Sequence, residues 1–234
     1  MSSIYLIRHG QAGRRQSYDE LSQIGRAQAA FLGEYLASQE LRFRAIYSGT
    51  LARQRDTARA VIEKGVNCPE LIFDTNWNEF DLDEVYRGLA PQLCREDPLF
   101  RTSYEEMTRE MADENSAIHH TWTPCDTAVV RAWVAGRHEF EGESFEQFRK
   151  RVRRAIGALP ECGREENIAV FTSATPIAAW VGAALELDGR KIMQLAGLMY
   201  NTAISVLRTG KDEPRLFSFN GIPHLADASL RSFR

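Results

Sequence analysis

Short apolar runs alternate with amphipathic segments through the first third of the chain, and this limits the possible folds more than any other feature. Ser3 to Ile7 is apolar and partly β-branched, then stops at Arg8-His9-Gly10, as a buried strand entering a polar loop does. Ser22 to Ser38 places Ile24, Ala27, Phe31, Leu32, Tyr35 and Leu36 at helical spacing. Arg44 to Tyr47 predicts a second strand, Leu51 to Ile62 a helix and Glu70 to Phe73 a third strand. The order β-α-β-α-β calls for a three-layer α/β/α sandwich with a mostly parallel central sheet.

The pattern breaks after Trp77. Leu82 to about Gly136 carries helical stretches, dense charge and a polar patch at Asp113 to Ser116, with no clear strand. We expect one domain over residues 1–234 with a helical and loop insertion at about 82–136, able to fold over a ligand crevice. Alternation resumes with a charged helix at Ser144 to Leu159, a strand at Ile168 to Thr172 and a helix at Pro176 to Leu185. Ala203 to Arg208 and Arg215 to Phe219 are the last two strand candidates.

Several function classes drop out. A net charge of −3 offers no basic footprint for nucleic acid or an anionic membrane surface. No apolar run approaches the ~20 residues of a membrane span. The N-terminal run reads as a strand rather than a basic segment with an apolar signal core, so the cytoplasm is the expected compartment. Cys68, Cys94, Cys125 and Cys162 are scattered without CxxC or metal-type spacing, and free thiols are expected. The chain has no GxGxxG, no GxxxxGK[ST] and no HExxH, so neither a nucleotide cofactor nor a metal is signalled. His119 and His120 are neighbours whose side chains point apart, which predicts an exposed polar pair rather than ligands.

Arg8 and His9 directly follow the first strand, and ligands of open α/β sheets bind beyond the carboxyl ends of strands. Gly10 next to them allows close backbone approach. Leu6-Ile7-Arg8-His9-Gly10-Gln11 resembles the RHG signature of the histidine phosphatase superfamily, the phosphoglycerate-mutase-like proteins. Further similarities follow in order: Leu21 to Ala29 with an LTxxGxxQA helix start, Ser48 through Ala58 with SxxLxRAxxTA, and Trp77-Asn78-Glu79-Phe80 with an LxE segment. Gly142-Glu143-Ser144 with Arg151-Val152 is similar to GES…RV, and Asn201-Thr202-Ala203 to a late NxS strand entry.

The resemblance implies a phosphohistidine mechanism on a phosphorylated small molecule. His9 would be the nucleophile and Glu79, with Glu84 as a rival, the proton donor to the leaving group. Arg8, Gln11, Arg53 and Ser173 would bind the phosphate. No metal or cofactor is implied. The residue types suit this chemistry, since neutral imidazole is nucleophilic and guanidinium forks match phosphate oxygens.

One departure stands out. Where the family has a V-S-H-G-G-P-I type run, this chain has Phe171-Thr172-Ser173-Ala174-Thr175-Pro176-Ile177, so Ser173 stands in place of a second catalytic histidine. Thr175 is a good helix N-cap with Pro176 as the first helical residue, and the amides there with the Ser173 hydroxyl offer an anion site. A full charge is lost, and activity is expected to be low unless His138, Arg137 or His224 compensates. A non-catalytic phosphometabolite-binding or regulatory protein is the alternative. A serine hydrolase using Ser173 and His224 is a third reading, although Phe171 and Thr175 occupy the positions where a nucleophile elbow has glycines. Within the enzyme reading a phosphatase is preferred to a mutase, which must shield its phosphoenzyme from water. The arginines of the insertion, Arg87, Arg95, Arg101 and Arg109, are balanced by acids and define no substrate class.

Overall fold

The computed structural model describes residues 2–14, 18–67, 70–160, 163, 166–209 and 215–233. Cys94 and Cys125 are free thiols, whereas Cys68 and Cys162 lie outside the described residues. Two compact units are present: one comprises Met1–Gly13, Ser17–Glu79 and Arg151–Arg234, and the other is chiefly Phe80–Lys150.

The first unit is built on a six-stranded sheet. Its strands are β1 (Ser2–Arg8), β2 (Phe43–Ser48), β3 (Leu71–Phe73), β4 (Asn167–Thr172), β5 (Ile204–Thr209) and β6 (Arg215–Gly221), in the order β3-β2-β4-β1-β5-β6. β1 and β2 both pair in parallel with β4, and β2 with β3. β5 is antiparallel to both β1 and β6, so among the described strands it alone runs against the rest. The chain runs outward through β2 and β3, then returns to insert β4 between β2 and β1. That reversal of strand order is where such sheets bind ligands.

The apolar runs explain the layering. All six residues of β4 are buried, as a strand covered on both faces requires. Ile7, Ala169 and Phe171 join Leu32 and Leu36 of helix α1 (Gln23–Ser38) and Ala58 and Val61 of helix α2 (Ala52–Glu63) in one core. Ile4, Leu6, Ile168 and Val170 point to the other face and are equally buried, and helix α7 (Ala174–Ala184) packs on β1 from there. The alternation along β1 and β4 thus feeds two helix layers.

Two local expectations are corrected. The buried stripe of α1 is Gly25, Gln28, Ala29, Leu32, Gly33 and Leu36, while Ile24 and Phe31 are 39% and 43% exposed. Close approach selected the small residues: a Cβ on Gly33 would lie 2.8 Å from the Val61 carbonyl of α2. The second concerns α7, which is capped not by Thr175 but by Ser173, so Pro176 is its third residue. A first-turn N–H has no intrahelical acceptor, so proline there sacrifices no helical bond.

The second unit holds helices α3 (Leu82–Glu96), α4 (Pro98–Glu110), α5 (Pro124–Ala135) and the first turns of α6 (Phe145–Gly157). Asp81, Asp97 and Thr123 cap α3, α4 and α5. Phe80, Trp133, Phe145 and Phe148 stack edge and face in its core. His119 corrects the expectation of an exposed pair: it is 2% exposed, with Nε2 against the Asp113 carbonyl at 2.9 Å. The adjacency rule ignored the short helical turn at Ala117–His120, which rotates His119 inward; the His120 side chain lies outside what is described. Among the described residues no helix is long and apolar enough to cross a membrane.

Candidate active site

β1, β2 and β4 end side by side. Arg8 is the register partner of Thr172, and the His9 amide donates to the Thr172 carbonyl at 2.9 Å, which sets His9 beside Ser173. His9 is 2% exposed. Its Nδ1 lies 2.7 Å from the Gly10 carbonyl, and Arg53 Nε donates to its Nε2 at 3.3 Å. A carbonyl can only accept and a guanidinium N–H can only donate, so Nδ1 carries the proton and Nε2 the lone pair. Burial, then the charges of Arg53 and Arg8, hold His9 well below the ordinary imidazole range. The ring is a neutral base whose unprotonated nitrogen is aimed at a cation.

The backbone around His9 is pinned. A Cβ on Gly10 would come within 2.5 Å of the Gly25 carbonyl, and one on Gly25 within 2.1 Å of the Gln11 carbonyl. Both glycines of the two motifs are therefore explained by one backbone contact. The His9 carbonyl accepts from the Thr202 amide at 3.2 Å and from Asn201 Nδ2 at 3.3 Å. Thr202 does this with φ of 57°, a conformation costly for a β-branched residue and typical of functional loops.

Arg8 and Arg53 are 5% and 6% exposed. Arg8 donates through Nη1 to the Met199 carbonyl and is hydrogen-bonded to Tyr18, with Glu79 close enough to stabilise its charge against burial. Its Nε is buried without a partner. Arg53, on the first turn of α2, pairs through Nη1 with Asp19 Oδ1 at 2.9 Å and lies 4.9 Å above the Tyr18 ring. Asp19 Oδ2 also accepts from the Ala52 amide at 3.0 Å. Tyr18 and Asp19 went unnoticed in the sequence; Ser17-Tyr18-Asp19-Glu20 has no spacing that would distinguish it from an ordinary polar loop.

Ser173 is fully buried, and its Oγ accepts from Gln54 Nε2 at 2.8 Å. Glu79 Oε2 accepts from the Thr175 amide at 3.2 Å, at the start of α7. The loop before Glu79 is clamped by Arg151, whose Nη1 donates to the carbonyls of Thr75, Asn76 and Asn78 at 3.0–3.3 Å. Gln11 is directed differently from the others: its Oε1 accepts from Ser22 Oγ at 2.7 Å, tying the loop to the cap of α1. His9, Arg8, Arg53, Glu79 and Ser173 thus meet at the carboxyl end of the sheet.

The rival residues are engaged elsewhere. Thr202 Oγ1 donates to the Asn201 carbonyl, so His224 Nε2 donates to Thr202 Oγ1 at 2.8 Å, and burial pushes His224 down to about 4. Ser173 and His224 therefore lack the mutual hydrogen bond that a serine nucleophile needs, which corrects the serine-hydrolase reading. In the helical unit, Glu84 accepts from the Glu143 amide at 3.1 Å and His138 faces Glu96 at 3.4 Å.

Known proteins resemble this chain in sequence and in fold. The sequence model of the Histidine phosphatase superfamily (branch 1) matches residues 4–221. The serine/threonine-protein phosphatase Pgam5, mitochondrial, of Caenorhabditis briggsae is 22% identical over 158 residues, covering 61% of this chain and 53% of the relative; the chain thus spans about half the length of the curated relatives it matches. Among solved structures, YhfR of Bacillus stearothermophilus superposes with a TM-score of 0.67 at 20% identity, covering 96% of this chain and all of that one. An α-ribazole-5'-P phosphatase, so described provisionally, from Escherichia coli gives 0.62 at 18% identity over 95% and 98% of the two chains. These structures share the fold.

Proposed function

This chain belongs to the histidine phosphatase superfamily, branch 1, and on that footing we propose that it hydrolyses a phosphomonoester of a small molecule through a phosphohistidine on His9. The observation that carries this is the state of the His9 ring: neutral, Nδ1 donating to Gly10 and Nε2 presented to Arg53. A phosphoryl group entering beside Arg53 replaces the lone pair as the partner of that guanidinium.

In the first step Nε2 forms a bond to phosphorus as the phosphorus–oxygen bond to the leaving group breaks. The departing oxygen takes a proton from the Glu79 carboxyl, held at the start of α7 by the Thr175 amide. Arg8, Arg53 and the Ser173 hydroxyl bind the phosphoryl oxygens, where charge is spread and positioning does most of the catalysis. In the second step water attacks phosphohistidine, Glu79 takes its proton, and inorganic phosphate leaves with His9 neutral again. Gln11, tied to Ser22, serves this reading mainly by shaping the loop after His9.

The experiment is capture of an acid-labile, base-stable phosphoryl adduct during turnover of p-nitrophenyl phosphate, in wild type and His9→Ala. The adduct should appear on His9 and vanish in the variant, with kcat down by at least ~10³-fold. Full activity in His9→Ala removes the covalent mechanism. Tight phosphate binding with neither adduct nor turnover makes this a binding protein.

A further inference from the structure

We propose that Gln54 is a positioning residue that obliges the Ser173 hydroxyl to donate its proton to the bound phosphoryl group, so that a neutral amide–hydroxyl pair acts where the family pattern has a histidine. This rests on the phosphatase reading of the site.

Gln54 is fully buried, and its amide has one permissible orientation. Nε2 faces the Trp77 carbonyl at 3.3 Å and Ser173 Oγ at 2.8 Å. Turning the amide over would set two oxygens face to face at Trp77, and neither could donate. Since Nε2 donates to Ser173, the serine oxygen is an acceptor within the protein and its own hydrogen must point elsewhere. Ser173 caps α7 without a side-chain bond to the helix amides, so the hydroxyl is not spent there either. It sits beside His9, at the end of the strand whose last carbonyl binds the His9 amide.

The other end of the amide marks the arrangement as kept for more than packing. Gln54 Oε1 is buried with no partner, and the structure makes room for it: a Cβ on Gly49 would fall 1.9 Å from that oxygen. An orphaned buried acceptor is a liability for folding. It is tolerated next to Arg53 because the nitrogen end must face Trp77 and Ser173. Gln54 touches no substrate; it acts through Ser173. The pair carries no titrating charge, so its contribution does not change across neutral pH, unlike that of an imidazolium.

A double-mutant cycle tests this with Gln54→Met, Ser173→Ala and the double variant, reading inorganic phosphate affinity by calorimetry and kcat and KM on p-nitrophenyl phosphate. Each single change should lower kcat by ~10-fold or more, and the double should be no worse than Ser173→Ala within ~2-fold. Gln54→Glu adds a signature that packing alone cannot produce. The carboxylate it introduces, once ionised, accepts the Ser173 proton, so activity should fall as pH rises through the pKa of that carboxyl and partly return when it is protonated, a step in addition to those that Glu79 and His9 give the wild type. Additive losses in the cycle, or a Gln54→Glu profile parallel to wild type, overturn the proposal. If Gln54→Met does not fold, the Gln54→Glu profile decides alone. A wild type that binds phosphate without turnover refutes the phosphatase reading only, because the affinity cycle still reports on the pair; a wild type that does not bind phosphate refutes both.

Discussion

The two units differ in how far they leave buried polar groups unpaired. In the helical unit the Asp126 carboxylate is fully buried and takes the Thr123 amide at 2.6 Å, the Thr123 hydroxyl at 2.8 Å and the Tyr86 hydroxyl at 2.8 Å. Among the described residues the sheet unit keeps Arg8 Nε, Gln54 Oε1, Arg55 Nε, Trp77 Nε1 and His224 Nδ1 buried without partners, against His119 Nδ1 alone in the helical unit. Each such orphan costs roughly 1–3 kcal/mol. A satisfied network fixes a fold, whereas an unsatisfied buried group forgoes stability and, on the proposed function, leaves a partner open to a ligand. On the proposed function Asp126 belongs to the architecture and Arg8, Arg53 and Gln54 to the site, and that division can be broken.

The largest effect should come from Arg53→Ala. Removing a buried guanidinium aimed at the transferring group should lower kcat/KM by about 10²–10³-fold, with little loss of thermal stability because the like charge of Arg8 is nearby. A change of less than tenfold would remove Arg53 from the machinery. Asp126→Ala should do the reverse. Stranding the Thr123 amide and Tyr86 hydroxyl should cost about 2–3 kcal/mol in urea unfolding, with phosphate affinity unchanged within ~2-fold. If Asp126→Ala weakened phosphate binding as much as Arg53→Ala, the division between the units would be wrong.

Acid should act on the two buried histidines of the sheet unit more gently. His224 is held at about 4 by burial, against an ordinary 6.5, and His9 is depressed too. Between those values the unfolded chain binds protons that the folded chain refuses. Stability is therefore complete above pH 6.5 and falls as pH drops, by up to about 1.4 kcal/mol per pH unit for each group. The His224 part flattens below about 4. His224→Gln should flatten the slope of stability between about pH 6 and 5; a wild-type protein equally stable at about pH 7 and 5 contradicts these shifts.

Much of the sheet unit was legible because its signals are local. The strands β1, β2 and β4 are apolar runs, and Arg8, His9, Arg53 and Ser173 sit at fixed offsets from their ends. Ile24 and Phe31 misled because hydropathy weighs side-chain size, while α1 docks through Gly25, Ala29 and Gly33. Gln54 was invisible for another reason. It lies beside Arg53 on α2, and nothing in the chain order joins it to Ser173, 119 residues away. His119 and Asp19 share that property: their partners are set by the path of the backbone rather than by a motif.

The smallest effect concerns Asp19, where the two ways of treating charge meet. Its carboxylate, half exposed, neutralises Arg53 at 2.9 Å and accepts from the first amide of α2. Both are donors that a phosphate oxygen would also use. A carboxylate in that place competes with a phosphoryl group for Arg53, yet it also orients the guanidinium. Asp19→Asn separates the two effects, because the amide oxygen can still accept while the charge is gone. If competition dominates, phosphate should bind more tightly, by about 1 kcal/mol or roughly fivefold, the value of an exposed ion pair. The gain should shrink with added salt, as half-exposed charges are screened. If orientation dominates, phosphate affinity should fall and kcat with it. Calorimetric titration of phosphate into wild type and Asp19→Asn at low and high salt distinguishes these, and weaker binding by the variant at both would show Asp19 to be a support for Arg53 rather than its counterweight.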